Sequence, residues 1–515
     1  MKVFKSNEKI LYRIQCLFLA LAIIAEPIYS LPERFQLPLL GGRLTDYFVA
    51  LGIVVCVIDI IISKKKIPSK IKLFIVILIS WSILTEVHGL WIYPYYNEIN
   101  PEGSRKLNVI INFLQNHGMQ DSMKIWLEAF WLGTRGLNNA IKELIYSFFV
   151  SVWVILLFKE SYTKGFSTIR KYVTILAFIL GIYAIPEFLL FKFNMQIGYD
   201  FLSITNPYLY DVGQYLDWYP PLIWPNNQLR SYCTEPSLFG FLAATIIPFS
   251  CSYFFRQFHY YKCVFFSYFI MLLFMTKSRT ANAIVLFELF CATILAVFGK
   301  KWRKTSIGLI LLIFLGFSTN IFLNFIPQFL TKNYTDNETF ESYYNDNMKS
   351  IVDAQARSNG SRLINIKAHL YVSLDHPIMG VGHDLKDCYV RDKLSDDDLT
   401  NKEIHAITDS LNEKGPLGPV SYGNVNHYIY VLTYSGIIGL GLYLLPFIYV
   451  FYRLIKLRFW TDLSALTLAI ALIGNLISQM AGAGMMLLYV VLGLLYIKVE
   501  MCQDTVSSNE EHIIL

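Results

Sequence analysis

The stretch Asn424-Val-Asn-His-Tyr-Ile-Tyr-Val-Leu-Thr-Tyr-Ser-Gly-Ile-Ile-Gly439 carries a long polar loop into an apolar run that continues to residue 452. A run of about 20 apolar residues matches the length needed to cross a bilayer as a helix. About twelve such runs occur, at 11–30, 46–63, 73–94, 143–158, 172–192, 238–255, 263–277, 281–298, 305–325, 427–452, 461–480 and 482–499, the fourth and seventh being short. Hydrophobic residues make up 55% of the chain and charged ones 16%, which excludes an ordinary soluble domain. The expectation is an all-α integral membrane protein.

Charge sets the orientation. Lys2, Lys5 and Lys9 precede the first run, and Lys64, Lys65, Lys66, Lys70 and Lys72 follow the second. Lys159, Lys164, Arg170, Lys171, Arg256, Lys262, Lys300, Lys301, Arg303, Lys304, Arg453, Lys456 and Arg458 fall in later short loops of the same side. The positive-inside rule makes that side cytoplasmic, with both termini on it. The net charge of +6 is thereby topology and implies no nucleic-acid partner.

The first run reads as an uncleaved helix, and the tail 501–515 as a loose, polar cytoplasmic segment. The spacing divides the chain into spans one to nine (1–326), a large outer loop (327–426) and spans ten to twelve (427–500). Shorter outer loops lie at 31–45, 95–142 and 193–237. A loop of that length is functional or disordered. Cys233 and Cys388 lie in outer loops, where a disulfide and two free thiols both remain open. No C-x-x-C pair suggests a structural metal. Asn333-Tyr-Thr and Asn337-Glu-Thr match glycosylation acceptors.

Chemistry-bearing residues gather on the outer side. Arg230-Ser-Tyr-Cys-Thr-Glu-Pro-Ser-Leu-Phe-Gly240 leads into the sixth span. Thr234 or Ser231 suits a helix cap, and Glu235 sits at a positive helix end; an Arg–Glu pair anchoring the helix is the structural alternative. Arg279 lies in Thr276-Lys-Ser-Arg-Thr-Ala-Asn282, where snorkelling to headgroups is equally open. Arg362 begins Ser361–Gly382, whose Leu363, Ile366, Leu370 and Leu374 have helical spacing. This predicts an amphipathic helix on the protein or membrane surface, ended by His376-Pro377 and a Gly380-x-Gly382 turn. His427 enters the membrane beside Asn424 and Asn426, and intramembrane ionisable groups are functional candidates by default. Gly436 and Gly439 suit close helix packing. Arginines without a carboxylate cluster suit a diphosphate held directly by guanidinium groups. A histidine or glutamate then serves to deprotonate an attacking hydroxyl. Tyr208, Tyr210, Tyr215, Trp218, Tyr219 and Trp224 offer either sugar-stacking surfaces or an interfacial belt.

On these segments the chain resembles the O-antigen polymerase and O-antigen ligase superfamily. Arg230–Gly240 is similar to its arginine-led loop, Ser361–Gly382 to its large-loop helix and turn, and His427 through Gly436-Ile-Ile-Gly439 to its His then Gly-x-x-Gly motif. Lys277-Ser278-Arg279 is a fourth, looser match. The resemblance implies a GT-C-type glycosyltransferase of the bacterial inner membrane, acting on undecaprenyl-diphosphate-linked oligosaccharide at the periplasmic face without metal or cofactor. It implies inversion, membrane lipid as surroundings and a chain-length regulator as partner. Arg230, Arg362 and Arg279 would hold the diphosphate; His427 or Glu235 would act on the acceptor hydroxyl. Glu235-Pro-Ser237 favours a polymerase, whereas Tyr428 departs from the residues that ligases place after the histidine. A ligase transferring glycan to lipid A–core is the alternative, and a lipid-linked oligosaccharide transporter a further one.

Overall fold

A computed structural model of the chain describes residues 2–37, 40–213, 219–254, 259–330, 357–482 and 484–511. The regular elements among them are helices. Every one of the twelve apolar runs coincides with a helix. They are α1 (Lys2–Ala25), α2 (Leu44–Ser63), α3 (Ser69–Ile92), α6 (Phe148–Phe158), α7 (Tyr162–Phe193) and α9 (Pro236–Phe254). The others are α10 (Tyr260–Met275), α11 (Arg279–Phe298), α12 (Arg303–Leu330), α17 (His427–Lys456), α18 (Leu463–Gln479) and α19 (Met486–Glu511). Among the described residues, eight helical stretches are long and apolar enough to span a membrane, while Tyr260–Met275 and Leu463–Gln479 are shorter apolar helices. The fourth run is short for a visible reason. It continues an earlier amphipathic helix, α5 (Asp121–Ile145), and the backbone leaves helical geometry at Ser147 (φ −117°, ψ −99°). As far as Glu511 the expected loose tail is instead a helical continuation of α19, and residues 512–515 lie outside the described residues.

In hydrocarbon the hydrophobic effect does not drive helix association, so packing and hydrogen bonds must. Buried polar groups supply such ties. Gln15 Nε2 donates to Asp59 at 2.9 Å, and Trp153 Nε1 to Gln15 at 3.1 Å. Asn475 Nδ2 donates to Thr245 at 2.8 Å, joining α18 to α9. Charges within the spans are largely committed in the same way: Asp59 pairs with Lys65 at 2.7 Å and Glu26 accepts from the Met486 amide at 2.7 Å.

The longer loops between the apolar helices fold into a second apolar core at one end of the bundle. Tyr93, Ile99, Leu107, Ile111, Leu132, Val381, Leu385, Val390, Leu411 and Tyr422 are among its buried members. It joins α4 (Arg105–Gln115), α5, α13 (Arg357–Asp375), α14 (Lys386–Arg391) and α16 (Lys402–Lys414). Residues 357–426 are thus a folded cap. Cys388 belongs to this cap and Cys233 to the bundle core; both are buried and free, so the disulfide option is closed. Asn333, Asn337, Tyr215 and Trp218 lie outside the described residues.

The amphipathic helix expected near 361 exists as α13, and the structure decides which of its faces meets the protein. Its Ser361, Asn365, Ala368, His369, Val372 and Ser373 are buried, whereas Leu363, Leu370 and Leu374 face outward. The small and polar face packs on α17, where Thr433 Oγ1 donates to the His369 carbonyl and lies 3.0 Å from Ser373 Oγ. The leucine stripe is turned away from the protein.

Candidate active site

The site is built by docking the 376–384 turn onto α17. Helix α17 leaves helical geometry at Gly436 (φ +68°, ψ −174°), which turns carbonyls outward. The Thr433 and Tyr434 carbonyls then accept from the amides of Val381 and Gly382, each at 3.0 Å, and the Pro377 carbonyl accepts from Ile437 N at 2.8 Å. A Cβ on Gly436 would meet the Ile378 carbonyl, so the position needs glycine for both conformation and space. This goes beyond the packing role expected for Gly436. Gly439 does sit against a neighbouring helix, facing Trp81 of α3. Gly436→Ala is expected to cost roughly 2–6 kcal/mol from backbone strain and overpacking. A detergent melting curve indistinguishable from the unsubstituted protein would refute that.

Docking delivers His383 and Asp384 to the last turns of α5. His383 Nε2 lies 2.8 Å from Glu143 Oε2, and its Nδ1 lies 3.1 Å from Asp384 Oδ1. Asn139 donates to Asp384 Oδ2 at 2.7 Å and Arg135 pairs with it at 3.2 Å. The His383 amide donates to Glu86 of α3 at 2.8 Å, and Tyr434 donates to Glu143 Oε1 at 3.2 Å. Burial opposes charge on His383. The Tyr430 hydroxyl and the bonds to Asp384 and Glu143 outweigh it and hold the imidazolium well above the ordinary histidine range. Burial likewise opposes charge on Asp384, but its bond to His383, with the charges of His383 and Arg135, holds it below the ordinary carboxylate range.

These shifts predict how docking responds to pH. A raised histidine contributes stability that is complete below its unfolded value of about 6.5 and vanishes as pH rises through the folded value. A lowered aspartate contributes above about 3.9 and fails only in stronger acid. Docking should therefore weaken on the alkaline side. Hydrogen exchange of the Val381 and Gly382 amides, corrected for intrinsic rate, is expected to accelerate as pH rises above about 6.5 and to stay level from there down to about 5. A level alkaline profile would remove charged His383 from the account.

His427 opens α17, with Asn426 capping the helix by accepting from Tyr428 N and Ile429 N at 3.1 and 3.3 Å. Its Nδ1 accepts from the Asn424 amide nitrogen at 2.9 Å. Its Nε2 lies 3.7 Å from Glu143 Oε1 and is buried without a hydrogen-bond partner.

A cavity of about 520 Å³ opens at this point. His427, His383, Glu143, Glu235 and Arg362 line it, with Arg43 and Lys142 on its wall. Arg362 and Lys142 make no hydrogen bond or ion pair among the described residues. Arg43 donates to the Tyr29 hydroxyl at 3.2 Å and lies 3.9 Å from Glu26 and 3.7 Å from Asp46. Of the aromatics singled out by sequence, Tyr219 lines the cavity; Tyr208 lies under Arg34.

Arg279, at the start of α11, feels the charge of Arg362. The expected site residues Glu235, Arg362 and His427 are thus brought together, with Arg279 near. Arg230 is placed differently from a diphosphate ligand. It is fully buried and donates to the carbonyls of Thr234 (3.0 Å), Pro221 (2.7 Å) and Leu222 (2.9 Å). Its guanidinium stacks over Tyr210, and Glu187 accepts from its backbone amide at 2.9 Å. Thr234 and Ser231 spend their hydroxyls on neighbours: Thr234 accepts from Tyr29 N, and Ser231 donates to the Leu180 carbonyl.

Compared with known proteins, residues 264–444 match the family described as O-antigen ligase. Over that segment the chain is similar to the O-antigen ligase family. The match supports the O-antigen ligase and polymerase superfamily and an O-antigen-related membrane enzyme. It covers about a third of the chain and includes Arg279, Arg362, His383 and His427, while Glu143, Arg230 and Glu235 precede it. Curated proteins gave no match.

Glu143, His383 and Asp384 were not foreseen. The motif reading stopped at Gly382, one residue short of the His-Asp pair, and Glu143 was taken as the edge of a span.

Proposed function

We propose that the chain transfers a glycan from undecaprenyl diphosphate to a hydroxyl of the next lipid-linked repeat unit, at the periplasmic face of the bacterial inner membrane. One observation carries this reading: Arg362 and Lys142, which pair with none of the described residues, share a cavity with His427 and Glu143 at the ends of apolar helices. A diphosphate leaving group needs fixed positive charge where its own charge develops, and a water-poor site makes that charge count for more. Arg362 provides it with a guanidinium that cannot lose its proton; Lys142, Arg43 and Arg279 add to it. His427 acts on the acceptor hydroxyl. Glu235, at the start of α9, faces the same space, and Arg230 supports the loop that carries it.

The second reading is a ligase that passes the same glycan to lipid A–core. The description of the matching family favours it. Deleting the gene in its host and running the surface lipopolysaccharide on a gel separates the two. Core carrying a single repeat unit, without a ladder, is the polymerase result. Bare core with accumulated undecaprenyl-linked polymer is the ligase result. An unchanged ladder would overturn both and favour another glycan or the transport of lipid-linked oligosaccharide.

A further inference from the structure

We infer that Glu143 is the proton acceptor of the transfer step and that His427 orients the acceptor hydroxyl by donating to it; this rests on the glycan-transfer reading above. The two groups face each other across 3.7 Å, from Glu143 Oε1 to His427 Nε2. A hydroxyl oxygen seated beside that gap reaches both atoms at ordinary hydrogen-bond lengths. Their roles differ because their other atoms are committed differently. The Asn424 amide donates to His427 Nδ1, so the neutral ring carries its proton on Nε2 and can donate from that atom but not accept. Glu143 Oε2 is occupied by His383, while Oε1 receives Tyr434 and keeps a further lone pair for a substrate proton. Exposure agrees: the Glu143 side chain is 26% exposed to the cavity and that of His427 6%.

In the step, the acceptor O–H bond breaks and its proton passes to Glu143 Oε1. The freed electron pair on oxygen forms the new C–O bond at the anomeric carbon. The bond from that carbon to the diphosphate oxygen breaks, and its electron pair leaves on the lipid diphosphate beside Arg362. His383 and Asp384 are positioning residues: they hold the Glu143 carboxylate in one orientation and touch no reacting atom.

The test uses the full-length protein in nanodiscs. Lipid-linked oligosaccharide extracted from a gene-deleted host is the substrate, and undecaprenyl diphosphate is the binding probe. Glu143→Gln is expected to lower turnover about 10²- to 10⁴-fold while probe binding stays within about threefold, since mainly the transition-state contact is lost. It should also remove the acidic limb of the pH–rate profile. The charged and titratable groups facing Glu143 are His383, His427, Tyr434, Tyr489, Glu86 and Lys142. His427→Gln, which keeps a donor, should raise the acceptor KM and retain the limb. If the Gln variant does not fold, Glu143→Asp decides: a slower enzyme with the limb intact supports the assignment. Wild-type protein that forms no glycan product sinks the function itself. Active wild type with Glu143→Gln within tenfold of it, or a limb that vanishes in His427→Gln, overturns the assignment alone.

Discussion

Replacing His427 with alanine is expected to abolish visible product, a loss of about 10²-fold or more in transfer, with membrane insertion and yield unchanged. The second half of that expectation is as important as the first. Helix α17 owes its start to Asn426, whose side chain accepts from the amides of Tyr428 and Ile429, so the cap survives without the imidazole. The break at Gly436 lies more than two helical turns away, the bonds to the 376–382 turn begin at Thr433, more than one turn away, and none of them uses the ring. What the alanine variant lacks is the Nε2 atom, buried beside Glu143 and without a partner of its own. A buried donor left unsatisfied carries a cost in the resting protein and is retained where a ligand supplies the acceptor. The measurement is a glycan gel beside an immunoblot of the membrane fraction. A normal ladder from His427→Ala would remove the histidine from the chemistry; a vanished protein band would make its role structural.

The bundle was legible because a bilayer imposes one simple demand on sequence: long apolar runs separated by charge. All twelve runs became helices for that reason. Their irregularities were less legible. Tyr146 and Ser147 show no turn signature, yet the helix breaks there and sets Glu143 at the cavity. The candidate site was half legible. His427 and Arg362 stood out as ionisable residues beside apolar sequence, and Glu235 as a carboxylate at a helix start. Glu143 did not, since a lone glutamate at the end of a span reads as a boundary. Its importance comes from His383, which lies 240 positions away. Only the docking of amides 381 and 382 on the opened carbonyls of α17 brings the two together. The leucines of α13 were legible only as a stripe. Helical spacing predicts that a stripe shares one face, which Leu363, Leu370 and Leu374 do, but it does not say whether that face meets protein or lipid.

Arg230→Ala is the other large effect, and it is expected to act on folding. The side chain and that of Glu187 are both completely buried, with Nε and Oε1 4.0 Å apart. Alanine would strand the Glu187 carboxylate and release the carbonyls of Thr234, Pro221 and Leu222 from their donors. Removing one member of a buried pair costs about 3–5 kcal/mol, a large share of the roughly 5–15 kcal/mol that holds a typical fold together. The variant should accumulate poorly or melt at much lower temperature in detergent. Lysine should not rescue it, because a point-charge ammonium cannot reproduce a planar fork that serves three carbonyls and stacks on Tyr210. A ligand role predicts the opposite pattern: a well-folded variant with unchanged melting and a raised KM for the lipid-linked donor. Glu187→Gln separates the two further. If Arg230 is a brace, neutralising its partner should lower stability while leaving donor KM alone. If Arg230 grips the diphosphate, loss of the competing carboxylate should tighten donor binding.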